Sequence, residues 1–283
     1  MALPSFLIKN TPKLKHIREI RNKLADPSLH TVCESASCPN IGECFSQGTC
    51  TFMIMGDICS RNCAFCGVGN GNPLPLDPEE PTKIASAAKK LGLDHIVITS
   101  VTRDDLPDGG SLHFAETIMA VKAELPEASV EVLIPDFQGD SRSLQTVLLA
   151  NPTVLNHNIE TIPRLYKQVR PQANYQQSLK VIRNAAESGV YTKSGFMVGL
   201  GEEKGEIIGI LADLRHAGCD FVTIGQYLPP SRRHLPVDRF VAPEEFSEYE
   251  EIGRQMGFLK IESGPFVRSS YHAKELLKKH GKI

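Results

Sequence analysis

The sequence has no tryptophan, 6% aromatic residues, no surplus of either charge and no long apolar run. No stretch approaches the roughly 18 consecutive apolar residues of a membrane-spanning helix, so no membrane partner is expected. Acidic residues number 33 and basic residues 31, for a net charge of −2. The two signs are interspersed, which leaves no basic footprint for nucleic acid. The opening residues, MALPSFLIKN, lack the apolar core and small-residue cleavage site of a secretory signal, so a cytoplasmic location is expected. No Gly/Ser-rich linker divides the chain, and no short-period repeat runs through it. Neither a Ser–His–Asp pattern nor a catalytic pair of carboxylates is visible. The poverty of aromatics by itself points to no function.

Cysteine is present, and it is unevenly placed. Six of the eight cysteines fall in two triplets: Cys33, Cys38 and Cys44 in CESASCPNIGEC, and Cys59, Cys63 and Cys66 in CSRNCAFC. A secreted disulfide scaffold would be far shorter than 283 residues, so metal ligation takes precedence over disulfides. Three thiolates do not complete a tetrahedral zinc site, which takes four ligands. They do hold three irons of a [4Fe–4S] cube and leave the fourth iron for another ligand. Two triplets therefore predict two such clusters, each with a fourth ligand from outside its triplet. Cys50 and Cys219 read as buried, inert thiols, because an isolated cysteine behaves as a small hydrophobe.

Residues 11–28 read as an amphipathic helix, with Leu14, Ile17, Ile20 and Leu24 at helical spacing and Pro27 as its stop. Short apolar runs follow at 51–56, 95–100, 129–135, 153–160, 193–200 and 221–228, with a further run at 259–264. Helical patterns such as PTKIASAAKKLG and NYQQSLKVIRNAAESG lie between them. Strand–helix alternation of this kind predicts a parallel sheet, and six units favour a barrel over a doubly wound sheet. The expected fold is α/β: a partial TIM-type (β/α)6 barrel with N-terminal and C-terminal extensions. Residues 1–50 would carry the first triplet, 51–228 the barrel, and 229–283 a C-terminal extension. Cys59 follows the first strand, which is the end of a barrel where active sites gather.

A C-x3-C-x2-C loop at that position resembles the radical S-adenosylmethionine (SAM) superfamily. The C-x4-C-x5-C triplet just upstream and the sequence Arg268-Ser269-Ser270-Tyr271 near the C-terminus resemble the lipoyl synthase family within it. NHNIET at 156–161, GFMVGLGE at 195–202, QYLPPS at 226–231 and GPFVRSSYHA at 264–273 add to the likeness. The resemblance implies two [4Fe–4S] clusters and SAM as cofactors. It implies insertion of two sulfur atoms at C6 and C8 of an octanoyl chain amide-linked to a lipoyl carrier protein. The auxiliary cluster on Cys33, Cys38 and Cys44 would donate the sulfur, with a serine of the RSSY motif as its fourth ligand. Spacing does not choose between the adjacent serines; Ser270 is the preferred ligand. Cys59, Cys63 and Cys66 would hold the cluster that binds SAM, with Phe65 near the adenine. The electron donor would be a ferredoxin or flavodoxin, and the chain is expected to be a monomer.

Many superfamily members carry GGE after the second strand, whereas this chain has ITSVTRDDLPDGG. Thr99, Ser100 and Asp105 are therefore the candidates there, because hydroxyl and carboxylate oxygens accept from an ammonium group. In the fourth strand, alternation would put Asn156, Asn158 and Glu160 on one face and His157 on the other. Asn158 and Glu160 suit ribose hydroxyls or the methionyl amine, and His157 reads first as a core histidine. Lys193 and Arg170 are candidates for the methionine carboxylate against a background expectation of solvated charge. Gly199 and Gly201 would let backbone approach a ligand closely. Two other readings compete: a relative of biotin synthase, which lacks the upstream triplet, and a non-enzymatic iron–sulfur carrier, which would have no use for a barrel with polar strand ends.

Overall fold

The computed structural model describes residues 3–8, 22, 24, 26, 28–36, 38–46, 50–271 and 273. The helix expected over 11–28 lies largely outside the described residues; within it, Asn22 and Leu24 are helical, and Leu24 is buried. The chain forms two compact units, one of residues 10–61 and 67–154, the other of residues 1–9, 62–66 and 155–283. They are called here the N-terminal and C-terminal units.

In the N-terminal unit, β1 (His30–Thr31) pairs antiparallel with β2 (Thr51–Ile54). The helices α1 (Val32–Ser35) and α2 (Ile41–Ser46) lie between them in the chain. A small parallel pair follows, β3 (Ile58–Cys59) with β4 (Gly69–Asn70). Then come α3 (Glu80–Leu91), β5 (His95–Ser100), α4 (Ser111–Glu124), β6 (Ser129–Leu133) and α5 (Ser141–Leu149). β2 pairs parallel with β5, and β5 with β6, in registers Thr51↔Val97 and His95↔Ser129. All four residues of β2 and the first five of β5 are buried. Such strands read as continuous apolar runs because a parallel sheet is covered on both faces. α3 carries Pro81 in its first turn and stops at Gly92, whose φ of 68° is the left-handed cap that glycine supplies.

β7 (Val154–Asn156) begins in the N-terminal unit and ends in the C-terminal one. The C-terminal unit continues with α6 (Tyr166–Val169), α7 (Tyr175–Glu187), β8 (Tyr191–Val198), α8 (Lys204–His216), β9 (Phe221–Gln226), α9 (Pro243–Gln255) and β10 (Lys260–Gly264). β8, β9 and β10 are parallel, with Lys193↔Phe221 and Lys260↔Phe221 in register. Asn174 caps α7 by accepting from the Gln177 N–H at 3.0 Å. Leu179 and Ile182 of α7 join Ile207, Ile210, Leu211 and Leu214 of α8 in one core.

Each of the seven apolar runs carries a strand, and the α/β class with mostly parallel strands is the one that the sequence predicts. The fourth run departs from its expected extent. β7 stops at Asn156, and Glu160 takes a left-handed φ of 66° before bridging to Phe196. That dihedral ends the strict alternation expected over 153–160. The β3–β4 pair was not foreseen, since two residues of strand leave no periodicity to read. Among the described residues, no helix is long and apolar enough to cross a membrane.

Candidate functional site

Cys59 ends β3, and its Sγ accepts hydrogen bonds from the Arg61 N–H at 3.4 Å and the Thr102 N–H at 3.2 Å. Ser60 ties this loop to the one after β5. Its N–H and its hydroxyl both donate to the Thr102 carbonyl, at 3.0 and 2.9 Å, and its Oγ accepts from the Asp104 N–H at 3.0 Å. Arg61 forks between two carboxylates. It meets Asp104 at 2.6 and 2.9 Å and Asp136 at 2.7 and 3.1 Å. Burial works against the guanidinium charge, but the hydrogen bonds to Asp104 and Asp136 outweigh it and hold Arg61 above its ordinary value. The sequence reading missed Arg61, Ser60 and Asp136. The available signal was a basic residue between two cysteines with no acid beside it in the chain.

The candidates after β5 separate from one another. Thr99 donates to the Leu133 carbonyl at 3.1 Å, a bond within the sheet. Ser100 Oγ is buried with no hydrogen-bond partner, unlike Thr99 Oγ1. Asp105 is held by Arg103 through bonds of 2.8, 2.9 and 3.2 Å, and these keep its carboxyl below the usual range. Arg103 itself is buried, at 2% exposure.

The other triplet stands on short helical segments of the same unit. Cys33 is in α1, Cys44 is in α2, and Cys38 lies between them. The Cys38 N–H donates to the Cys33 carbonyl at 3.0 Å, and the Cys44 N–H donates to the Asn40 carbonyl at 2.9 Å. Burial pushes the Cys33 thiol up to about 11, against an opposing bond with the Thr51 backbone. Cys50 and Cys219 are buried as expected, and burial raises both thiols. None of the eight cysteines is in a disulfide. Among the described residues, no three Cys, His, Asp or Glu side chains converge in a metal-ligating group.

Cys63, Phe65 and Cys66 belong to the C-terminal unit. Their loop is fastened there by backbone bonds from Ala64 N–H to Val169 at 2.9 Å and from Leu235 N–H to Ala64 at 3.3 Å. His234 Nε2 also meets the Cys66 carbonyl at 2.9 Å, and Phe65 packs against the core of this unit while remaining partly exposed.

Asn158 is the centre of the polar group beyond β7. Its Nδ2 donates to Glu160 Oε1 at 3.0 Å and to Ser269 Oγ at 2.6 Å, while its Oδ1 is buried with no partner. The structure thus brings Asn158, Glu160 and the RSSY segment together. Glu160 sits in a desolvated environment that raises its carboxyl, with Arg170 and then the Asn158 bond opposing the rise. Arg170 donates to the Asn158 carbonyl at 3.0 Å. His157 faces Ser178 at 3.0 Å and is buried, the core role expected of it.

Lys193 and Arg170 are both buried, Lys193 at 0% exposure, so neither is the solvated surface charge that their type suggests. The space beside Gly199 is taken by the protein itself. A Cβ there would lie 2.2 Å from Gln226 Nε2 and 2.6 Å from the Arg239 carbonyl, at a φ of 98°. Gly199 therefore has a packing and turn requirement that is sufficient to explain it. Gly201 likewise turns toward Asp238. Gly225 of β9 lies under the C-terminal segment: a Cβ would stand 2.2 Å from the Val267 carbonyl.

Ser100 Oγ and Asn158 Oδ1, each in its own unit, are buried polar atoms open to a donor, and the two cysteine triplets have the ligand type and number of [4Fe–4S] clusters. The family model of the radical SAM superfamily matches residues 53–214. A lipoyl synthase of Rubrobacter xylanophilus is 56% identical over 274 residues, 96% of this chain and 85% of that one. A lipoyl synthase of Caldanaerobacter subterraneus subsp. tengcongensis is 57% identical over 252 residues, 88% of each. Among solved structures, HydG, a maturase of the [FeFe]-hydrogenase, matches with a TM-score of 0.58 at 16% identity, over 87% of this chain and 62% of that one. This chain thus spans less than two thirds of that protein, and the likeness shows the fold alone. The chain belongs to the radical SAM superfamily and, within it, to the lipoyl synthases, enzymes that insert sulfur and use [4Fe–4S] clusters and SAM.

Proposed function

We propose that this chain inserts two sulfur atoms at C6 and C8 of an octanoyl chain carried by a lipoyl carrier protein. Cys59, Cys63 and Cys66 would hold the cluster that receives SAM. Cys33, Cys38, Cys44 and Ser270 would hold the auxiliary cluster that supplies the sulfur. Together the bound clusters and SAM supply the electron, the hydrogen-atom abstraction and the sulfur that unactivated C–H bonds require. The reading keeps three segments: 1–50 with the auxiliary triplet, 51–228 with the catalytic barrel, and 229–283 with the RSSY motif.

The chain's own residues do the binding and orienting. Within its own unit, Ser100 Oγ is a buried oxygen without a partner, and within the other so is Asn158 Oδ1; each suits an ammonium or hydroxyl donor of a ligand. Glu160 offers a second acceptor beside Asn158, at a protonation set by its desolvated surroundings. Lys193 and Arg170 are buried cations suited to the methionine carboxylate. Phe65, partly exposed in the cysteine loop, supplies an apolar face for the adenine. Ser269 accepts from Asn158, and Ser270 is the serine of the pair proposed to serve the auxiliary cluster. An octanoylated carrier and a low-potential reductant such as ferredoxin or flavodoxin complete the reaction, in a cytoplasmic monomer.

The observation that carries the reading is the pair of cysteine triplets with no disulfide among them. Its test is anaerobic reconstitution followed by iron counting and assay on an octanoylated carrier peptide. About eight irons per chain are expected, four per triplet. A plateau at about four irons would remove the second cluster and the proposed source of sulfur.

A further inference from the structure

The cysteine loop holds a network that the proposed chemistry does not use. Arg61 is a buried guanidinium, at 7% exposure, one residue beyond Ser60 and two beyond Cys59. It bridges Asp104 of the loop after β5 to Asp136 of the loop after β6, with two hydrogen bonds to each. Asp136 is wholly enclosed, with 0% side-chain exposure. A bridge of this kind has a fixed planar geometry, because a guanidinium presents its donors as a fork. Ser60 adds a second tie, making three hydrogen bonds with Thr102 and Asp104. Between these two ties, the N–H groups of Arg61 and Thr102 are aimed at Cys59 Sγ.

We propose that Ser60 and Arg61 form a clamp, with Asp104 and Asp136 as its anchors, that fixes Cys59 and the two N–H donors on its sulfur, and so sets both the affinity of that cysteine for its cluster and the cluster's reduction potential. The inference rests on the reading that Cys59 is a cluster ligand. These are positioning residues, since none of the four side chains touches the sulfur. Hydrogen bonds to a ligating sulfur stabilise the more negative, reduced state of a cluster and raise its potential. Partners that orient a ligand contribute about 10–100-fold to metal affinity. A lysine at position 61 would keep the charge but could not span two carboxylates as a fork does.

The test uses the full chain carrying Cys33→Ala, Cys38→Ala and Cys44→Ala, so that one cluster is observed. Ser60→Ala, Arg61→Lys and Arg61→Met are added separately. Folding is followed by circular dichroism, iron retention by chelator competition, and potential by EPR-monitored titration. Ser60→Ala changes no charge and leaves no buried ion unpaired, so it reports on positioning even if Arg61→Met fails to fold. The expected result is iron loss about tenfold easier in Ser60→Ala and Arg61→Lys, and a more negative potential in both. A background protein that binds no cluster would overturn the ligand reading and the clamp with it. A background protein with a normal cluster, whose Ser60→Ala and Arg61→Lys variants match it in iron retention and potential, would overturn the clamp alone. A change confined to Arg61→Met would assign the effect to charge and likewise overturn positioning.

Discussion

Cys59 and Cys33 lie in the same unit and carry the same functional group, yet their surroundings differ in kind. Cys59 ends a strand, is partly exposed, and receives two N–H donors from a loop locked by buried ion pairs. Cys33 sits in a four-residue helix, is buried, and is held as a neutral thiol by desolvation. A helix that short contributes little stability of its own. One sulfur is presented by ties to the loops after β5 and β6; the other stands in a short helix, with a Cys38-to-Cys33 backbone bond beside it and the Thr51 backbone of β2 bonded to Cys33 itself. The first arrangement suits a cluster that must be retained through turnover. In the proposed function the second would hold the cluster that gives up its sulfur.

The largest test of that contrast is Cys63→Ala, which should bring 5′-deoxyadenosine formation to background in a SAM cleavage assay. Cys38→Ala should keep SAM cleavage and lose lipoyl product entirely. The reverse pattern would exchange the roles of the two regions. Ser270→Ala should still assemble an auxiliary cluster on three cysteines yet make no product, whereas Ser269→Ala should be milder, since it removes only the acceptor for Asn158. Full activity in Ser270→Ala with a dead Ser269→Ala would move the ligand to Ser269.

In iron-free protein the contrast becomes a difference in thiol reactivity. Only the thiolate alkylates. With its thiol raised from 9.0 to about 11, Cys33 should react at pH 8 about 100-fold more slowly than an ordinary cysteine. The gap should close as pH rises through 11, when the ionised fraction of Cys33 catches up. Mass-spectrometric alkylation kinetics measure this directly, and equal rates would erase the distinction. The smallest expected effect lies away from both triplets. Gly225→Ala should destabilise the folded chain by about 1–3 kcal/mol, because the new methyl meets the Val267 backbone rather than a yielding side chain. Thermal melts of the iron-free protein would read it, and an unchanged Tm would show that the segment over β9 can shift at little cost.

The strands were legible because seven apolar runs, separated by helical patterns, have one physical solution in water: a buried parallel sheet. The cysteine triplets stand out in the sequence because three thiolates leave a zinc site incomplete but suit three irons of a cube, and the second triplet follows the first long strand. Residues that act through distant partners do not. Arg61 meets carboxylates 43 and 75 residues away, and Ser269 meets an asparagine 111 residues away. Charge type gives no hint of such separations, so Lys193 and Arg170 read as surface charges although both are buried. Gly199 shows a different limit: a glycine announces close approach without naming what approaches, and on its Cβ side it is Gln226 and Arg239.

The laying of Val267 over Gly225 also has a consequence for the order in which a newly made chain can close. Both cysteine triplets and the Arg61 network are encoded before residue 137, so the ribosome releases them long before Val267 exists. Until that segment emerges, the glycine face of β9 and the amide of Asn158 have no cover from it. Folding during synthesis proceeds from the N-terminus. The two cysteine triplets can therefore begin to fold before the segment that covers Gly225 has been made.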